Sequence, residues 1–123
     1  MKKQGGAYAR TKGHQFEREV VKKLRPIFRD VERVKCGDSL DLNGVDIRST
    51  GSLRIQCKRN KKYAPIGKIE EVKCDDGIPI LWTKGDFKRP VVCMYEDDFL
   101  KIIQDIGEVY DQGYKKPEDV ITI

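Results

Sequence analysis

Residues 44–59 read GVDIRSTGSLRIQCKR, two short alternating runs joined by Thr50-Gly51-Ser52. In the first run Val45 and Ile47 alternate with Asp46 and Arg48. In the second, Leu53, Ile55 and Cys57 alternate with Arg54, Gln56 and Lys58. A period of two is that of a half-buried strand, and a glycine-containing link between two such runs predicts a β-hairpin. With a three-residue loop, Ser49 pairs with Leu53 and Asp46 comes opposite Gln56, so that Asp46, Gln56 and Lys58 share one face. A slip of one residue would set Asp46 beside Cys57 and disperse the group, so the reading depends on loop length. A carboxylate, an amide and an ammonium on one strand face then have two explanations: the wet side of a hairpin, or a site.

Upstream, a helical period over Thr11 to Leu24 aligns Val20, Val21 and Leu24 in an apolar stripe, and Glu17 falls on the same stripe. A carboxylate there is costly unless it meets a cation, for which Arg48, Lys58 or a metal ion would serve. Pro26 ends the helix. The residues before it, MKKQGGAYARTK, hold too little apolar surface to pack and read as a flexible basic arm over residues 1–11. Lys2, Lys3, Arg10 and Lys12 suit phosphate contacts, and Arg18 adds another cation. Asp30 to Lys35 reads as a first strand. In the polar loop Cys36 to Asn43, Asp38 and Asp41 read first as turn formers and second as candidate ligands.

Downstream, Arg59-Asn60-Lys61-Lys62-Tyr63 is a dense basic run with one aromatic, placed to meet nucleic-acid phosphates. A helix follows from Ile66 to Cys74, then strands over Ile78–Thr83 and Val91–Tyr95 about the turn KGDFKRP. An amphipathic helix runs from Glu96 to Ile106, and the terminal VITI reads as an edge strand or an inter-subunit contact. This order predicts an α/β domain with a mixed sheet.

At 123 residues the chain holds one domain, with no room for a separate recognition module. Lys and Arg number 25 against 20 Asp and Glu, a net charge of +5 that suits a polyanionic partner. No apolar run is long enough to span a bilayer and no signal-peptide core opens the chain, so the expectation is an intracellular, cytoplasmic protein without a membrane partner. Cys36, Cys57, Cys74 and Cys93 lack CxxC spacing and the single histidine, His14, lies far from them. That argues against zinc and for free thiols.

Asp46, Gln56 and Lys58 resemble the core motif of the PD-(D/E)xK nuclease superfamily: an Asp at the end of one strand, then an acid or Gln, any residue, and Lys on the next. The Gln form in a GVDI…QCKR setting is similar to Mrr-type restriction endonucleases. The stretch KGHQFEREVVKKL resembles the opening helix of archaeal-type Holliday junction resolvases, with Glu17 at its third acidic position. The resemblance covers roughly Lys12 to Ile103. It implies a restriction-endonuclease-like core, a mixed β-sheet flanked by helices, with Glu17, Asp46, Gln56 and Lys58 as catalytic residues. It also implies Mg²⁺, replaceable by Mn²⁺, held by Glu17, Asp46, Gln56 and the Cys57 carbonyl. Arg10, Lys12, Arg18, Arg59, Lys61 and Lys62 would bind DNA, and a homodimer would cut four-way junctions. Glu is the more usual residue at position 56, so metal affinity is expected to be weaker with Gln. Three functions compete: a Holliday junction resolvase, a Mrr-like endonuclease acting on duplex DNA, and a nucleic-acid-binding module without catalysis.

Overall fold

The computed structural model describes residues 3–109, with side chains from residue 8 to residue 107. Helix α1 (Lys3–Leu24) is followed by β1 (Glu32–Arg33), the short helix α2 (Ser39–Leu42), β2 (Ile47–Arg48) and β3 (Leu53–Arg59). A 3₁₀ helix (Ile66–Glu71), β4 (Ile78–Lys84), β5 (Val91–Cys93) and α3 (Glu96–Val109) complete the order. The five strands form one sheet in the order β1-β2-β3-β4-β5, parallel only between β3 and β4. The expected mixed α/β sheet flanked by helices is thus present.

Helix α1 lies on one face of the sheet. Phe16, Val20, Val21 and Leu24 meet Ile47, Ile55, Cys57 and Ile80 in the main core, with Val31 closing one end. Lys22 and Lys23 sit in the last helical turn, where they complement the helix dipole. On β4, Ile80 and Trp82 join this core while Leu81 and Thr83, also buried, alternate to the other face. There the Ala64 amide donates to the Thr83 hydroxyl at 2.9 Å, bringing the segment before the 3₁₀ helix over the sheet. A smaller cluster of Val34, Val45 and Val72 fills the space beyond.

The hairpin adopts the register that a three-residue loop demands, with Ile47 opposite Ile55. The Leu53 amide donates to the Thr50 carbonyl at 3.1 Å, and the buried Thr50 hydroxyl donates to the Leu53 carbonyl at 2.8 Å. Ser49 and Gly51 hold positive φ values of 65° and 62° to turn the chain.

Three expectations change. Helix α1 begins at Lys3 rather than near Thr11, so residues 3–10, expected as part of a flexible basic arm, are helical. Lys, Gln, Ala and Arg are strong helix formers and outweigh Gly5-Gly6. The polar loop contains α2, capped by Asp38, whose carboxylate accepts from the Leu40 amide at 3.0 Å. The helix after Pro65 is 3₁₀ and stops at Glu71, because Val72 turns extended to enter the smaller core. The terminal VITI lies outside the described residues.

Gly44 fixes how the motif strand meets the 3₁₀ helix. Its φ is +79°, and a Cβ there would come within 2.2 Å of the Glu71 carbonyl oxygen. The neighbouring Asn43 carbonyl accepts from the Lys73 amide at 2.8 Å. Gly44→Ala should therefore lower stability by about 2–4 kcal/mol, combining positive-φ strain with a backbone clash. Gly13→Ala, in mid-helix with open space around it, should raise stability by about 0.5–1 kcal/mol. Denaturant unfolding of both variants checks the pair, and equal midpoints would disprove the close approach.

Candidate active site

Asp46 holds the end of the hairpin together. Its amide donates to the Ile55 carbonyl at 2.8 Å, its carbonyl accepts from the Val34 amide at 2.8 Å, and its Oδ2 accepts from the Cys57 amide at 2.8 Å. The side chain thus supplies β3 with a bond that the two-residue β2 is too short to make. Burial pushes the Asp46 carboxyl up to about 6; the Cys57 amide opposes the shift, Glu17 adds to it, Lys58 opposes it and Asp41 adds to it.

A cavity of about 430 Å³ opens beside it, lined by Asp46, Glu17, Asp41, His14 and Arg33 among others. Helix α1 brings Glu17 to this cavity on its inward stripe, as the spacing predicts. Its partner is neither Arg48 nor Lys58 but Arg33, whose Nε donates to Glu17 Oε1 at 2.9 Å. Arg48 instead faces Asp38 at 3.7 Å. Asp41 accepts from the Gly37 amide at 3.1 Å, so it is a turn former that also edges the cavity.

On β3, Gln56 and Lys58 turn to a residue that sequence reasoning missed. Gln56 Nε2 donates to Glu71 Oε1 at 3.1 Å, and Lys58 Nζ lies 3.4 Å from the same oxygen. Lys68 Nζ donates to Glu71 Oε2 at 3.0 Å and, with Lys58 and Gln56, holds that carboxyl below the usual range. Nothing in the residues around Glu71 marks it, since it stands 15 residues beyond Gln56 as one of two adjacent glutamates. Gln56 is buried, and its Oε1 has no hydrogen-bond partner among the described residues. Leaving such an acceptor unsatisfied costs about 1–3 kcal/mol. Cys57 packs its thiol into the main core, and burial holds that thiol well above its ordinary value, hence protonated.

The basic residues divide. Asp86 binds both Lys12 Nζ at 3.0 Å and Arg59 Nη1 at 2.7 Å, so two expected phosphate contacts are held by an acid from the β4–β5 turn. Arg10, Arg18, Lys61 and Lys62 are exposed and form no ion pair among the described residues. The same β4–β5 turn carries Phe87, fully exposed at a φ of 57°. Among the described residues, no three His, Cys, Asp or Glu side chains gather as a metal-binding group.

Because the folded state raises the Asp46 pKa, its stabilising contribution is complete below the unfolded value near 3.8 and is lost as pH rises through about 6. Asp46→Asn keeps an acceptor for the Cys57 amide and removes the buried charge. In chelator, this variant should be more stable than the parent by about 2 kcal/mol at pH 7.5, with the gap closing between pH 6 and pH 4. Thermal unfolding across that range is the measurement. A variant no more stable than the parent at pH 7.5 would refute the buried-charge account.

The chain matches no protein-family model, no curated protein and no solved structure.

Proposed function

We propose that the protein is a metal-dependent, structure-selective DNA endonuclease that hydrolyses phosphodiester bonds, with a four-way junction as substrate, as its resemblance to Holliday junction resolvases implies. One observation carries the reading. The hairpin register sets the Asp46 carboxylate on the Cys57 amide, close enough to Glu17 and Lys58 for both to act on it.

The donor set fits a hard divalent cation such as Mg²⁺, with Mn²⁺ able to replace it. In the cavity the carboxylates of Asp46 and Glu17 are hard oxygen donors beside the His14 imidazole, and the orphaned Gln56 Oε1 and the Cys57 carbonyl on β3 are further candidates. Two carboxylates and an amide make a partial set, which would suit a cation that keeps several waters. When bound, such a cation would supply an activated water and positive charge against the phosphate. The chain's own residues do the rest. The Cys57 amide fixes the Asp46 carboxylate, and Arg33 fixes that of Glu17. The Lys58 ammonium offers positive charge to the oxygen on which negative charge develops. Lys61 and Lys62, on the segment leaving β3, together with Arg10 and Arg18, meet the backbone phosphates.

Two symmetry-related incisions require two sites, and a C₂ homodimer supplies them. Apolar surface is available for pairing: Phe99, Leu100, Ile103 and Ile106 of α3 stand exposed, as do Val91 and Val92 of the edge strand β5. Light scattering at micromolar concentration should report a dimer, and Phe99→Asp/Ile103→Asp a monomer. A monomeric parent, with and without junction DNA, would remove the dimer from the proposal.

With Mg²⁺ and a four-way junction, a linear duplex and a single strand of matched sequence, the junction should be cut fastest. Asp46→Asn and Lys58→Ala should lose at least 100-fold in cleavage while retaining binding, whereas Lys61→Ala/Lys62→Ala should weaken binding and flatten its salt dependence by about two units of slope. Full activity in Asp46→Asn would refute the site. Equal cutting of duplex and junction would favour the Mrr-like alternative, and junction binding without cleavage the non-catalytic module.

A further inference from the structure

Gln56 sits mid-strand, 4% exposed, with one end of its amide engaged and the other not. A carboxylate accepts hydrogen bonds and donates none when ionised, so Glu71 can face only the amide nitrogen. That contact settles the amide orientation: Nε2 to Glu71, and Oε1 buried without a partner among the described residues. Glu71 is exposed, yet its backbone is not free to drift. Its carbonyl lies against Gly44, two residues before Asp46, and the Lys73 amide is bonded to Asn43. Lys68 holds its second carboxylate oxygen. The acid is therefore built against the motif strand and tied to both Gln56 and Lys58.

We propose that Glu71 is a positioning residue of this site: by holding the Gln56 amide nitrogen it leaves Oε1 as an oxygen donor for a hard divalent cation, and it carries beside β3 the negative charge that position 56 lacks. The proposal rests on the cation-dependent reading above. It has a direct consequence for Gln56→Glu. Adding a carboxylate at position 56 would set two acids at the 3.1 Å separation that a hydrogen bond now spans, so the added charge is opposed by Glu71. Exchanging the two residues, Gln56→Glu/Glu71→Gln, restores one acid and one amide, with the amide again donating to the carboxylate.

The test is calorimetric titration of the full chain with Mn²⁺ alone, with circular dichroism confirming that each variant folds. Glu71→Gln should weaken Mn²⁺ binding about 10- to 100-fold, the range for partners that orient a metal ligand. Gln56→Glu alone should not bind more tightly than the parent, and the exchanged double variant should recover parental affinity or better. In metal-free protein, the Gln56 side-chain amide resonance should shift in Glu71→Gln and not in Lys61→Ala. Unchanged Mn²⁺ affinity in a folded Glu71→Gln, or additive losses in the double variant, would overturn the positioning role while leaving the nuclease reading intact. Absence of Mn²⁺ binding by the parent would overturn the cation reading and this inference with it.

Discussion

The hydrogen bond from the Cys57 amide to Asp46 Oδ2 is the contact on which the rest of the hairpin end depends. β2 is two residues long, and its regular pairing with β3 ends at Ile47. Beyond that point the Asp46 amide still reaches the Ile55 carbonyl, its carboxylate takes the Cys57 amide, and its carbonyl accepts from Val34, next to β1. Three strands thus meet at one acidic residue. An alanine there would orphan the Cys57 amide as well as remove a charge, so structural and chemical roles can be separated only by an isostere such as Asn.

Charge is arranged around that contact in pairs that cross between elements. Arg33 of β1 meets Glu17 of α1, Asp86 of the β4–β5 turn gathers Lys12 and Arg59, and Glu71 of the 3₁₀ helix meets Lys58 of β3. Pairs this exposed add little stability individually. Their effect is on position: they orient long side chains and pair part of the positive charge with acids of the chain itself. The net charge of +5 therefore overstates the cations available to a polyanion near the motif.

The two long helices differ in how much they bury. α1 closes one face of the sheet with a packed core, whereas Phe99, Leu100, Ile103 and Ile106 of α3 stand exposed. Its first turn carries Glu96, Asp97 and Asp98, which favour the helix N-terminus and would repel a phosphate backbone. An acidic, apolar element at one edge and the cavity beside α1, β1 and β2 give the domain two surfaces of different chemistry.

Alternation, loop length and helical period are local properties, so the sequence by itself determined the hairpin register, the inward stripe of α1 carrying Glu17, and the position of β4. Where two local tendencies competed, it was less decisive. Helix propensity carried α1 back through Gly5-Gly6 to Lys3, and burial of Val72 cut the second helix to a 3₁₀ turn. Only the tertiary structure decided the partners. Arg33 rather than Arg48 or Lys58 faces Glu17, Asp86 takes Lys12 and Arg59, and Glu71 takes Gln56 and Lys58. Those choices depend on how elements far apart in the chain approach, and the Gly44–Glu71 contact that places the acid is a backbone clearance which no periodicity encodes.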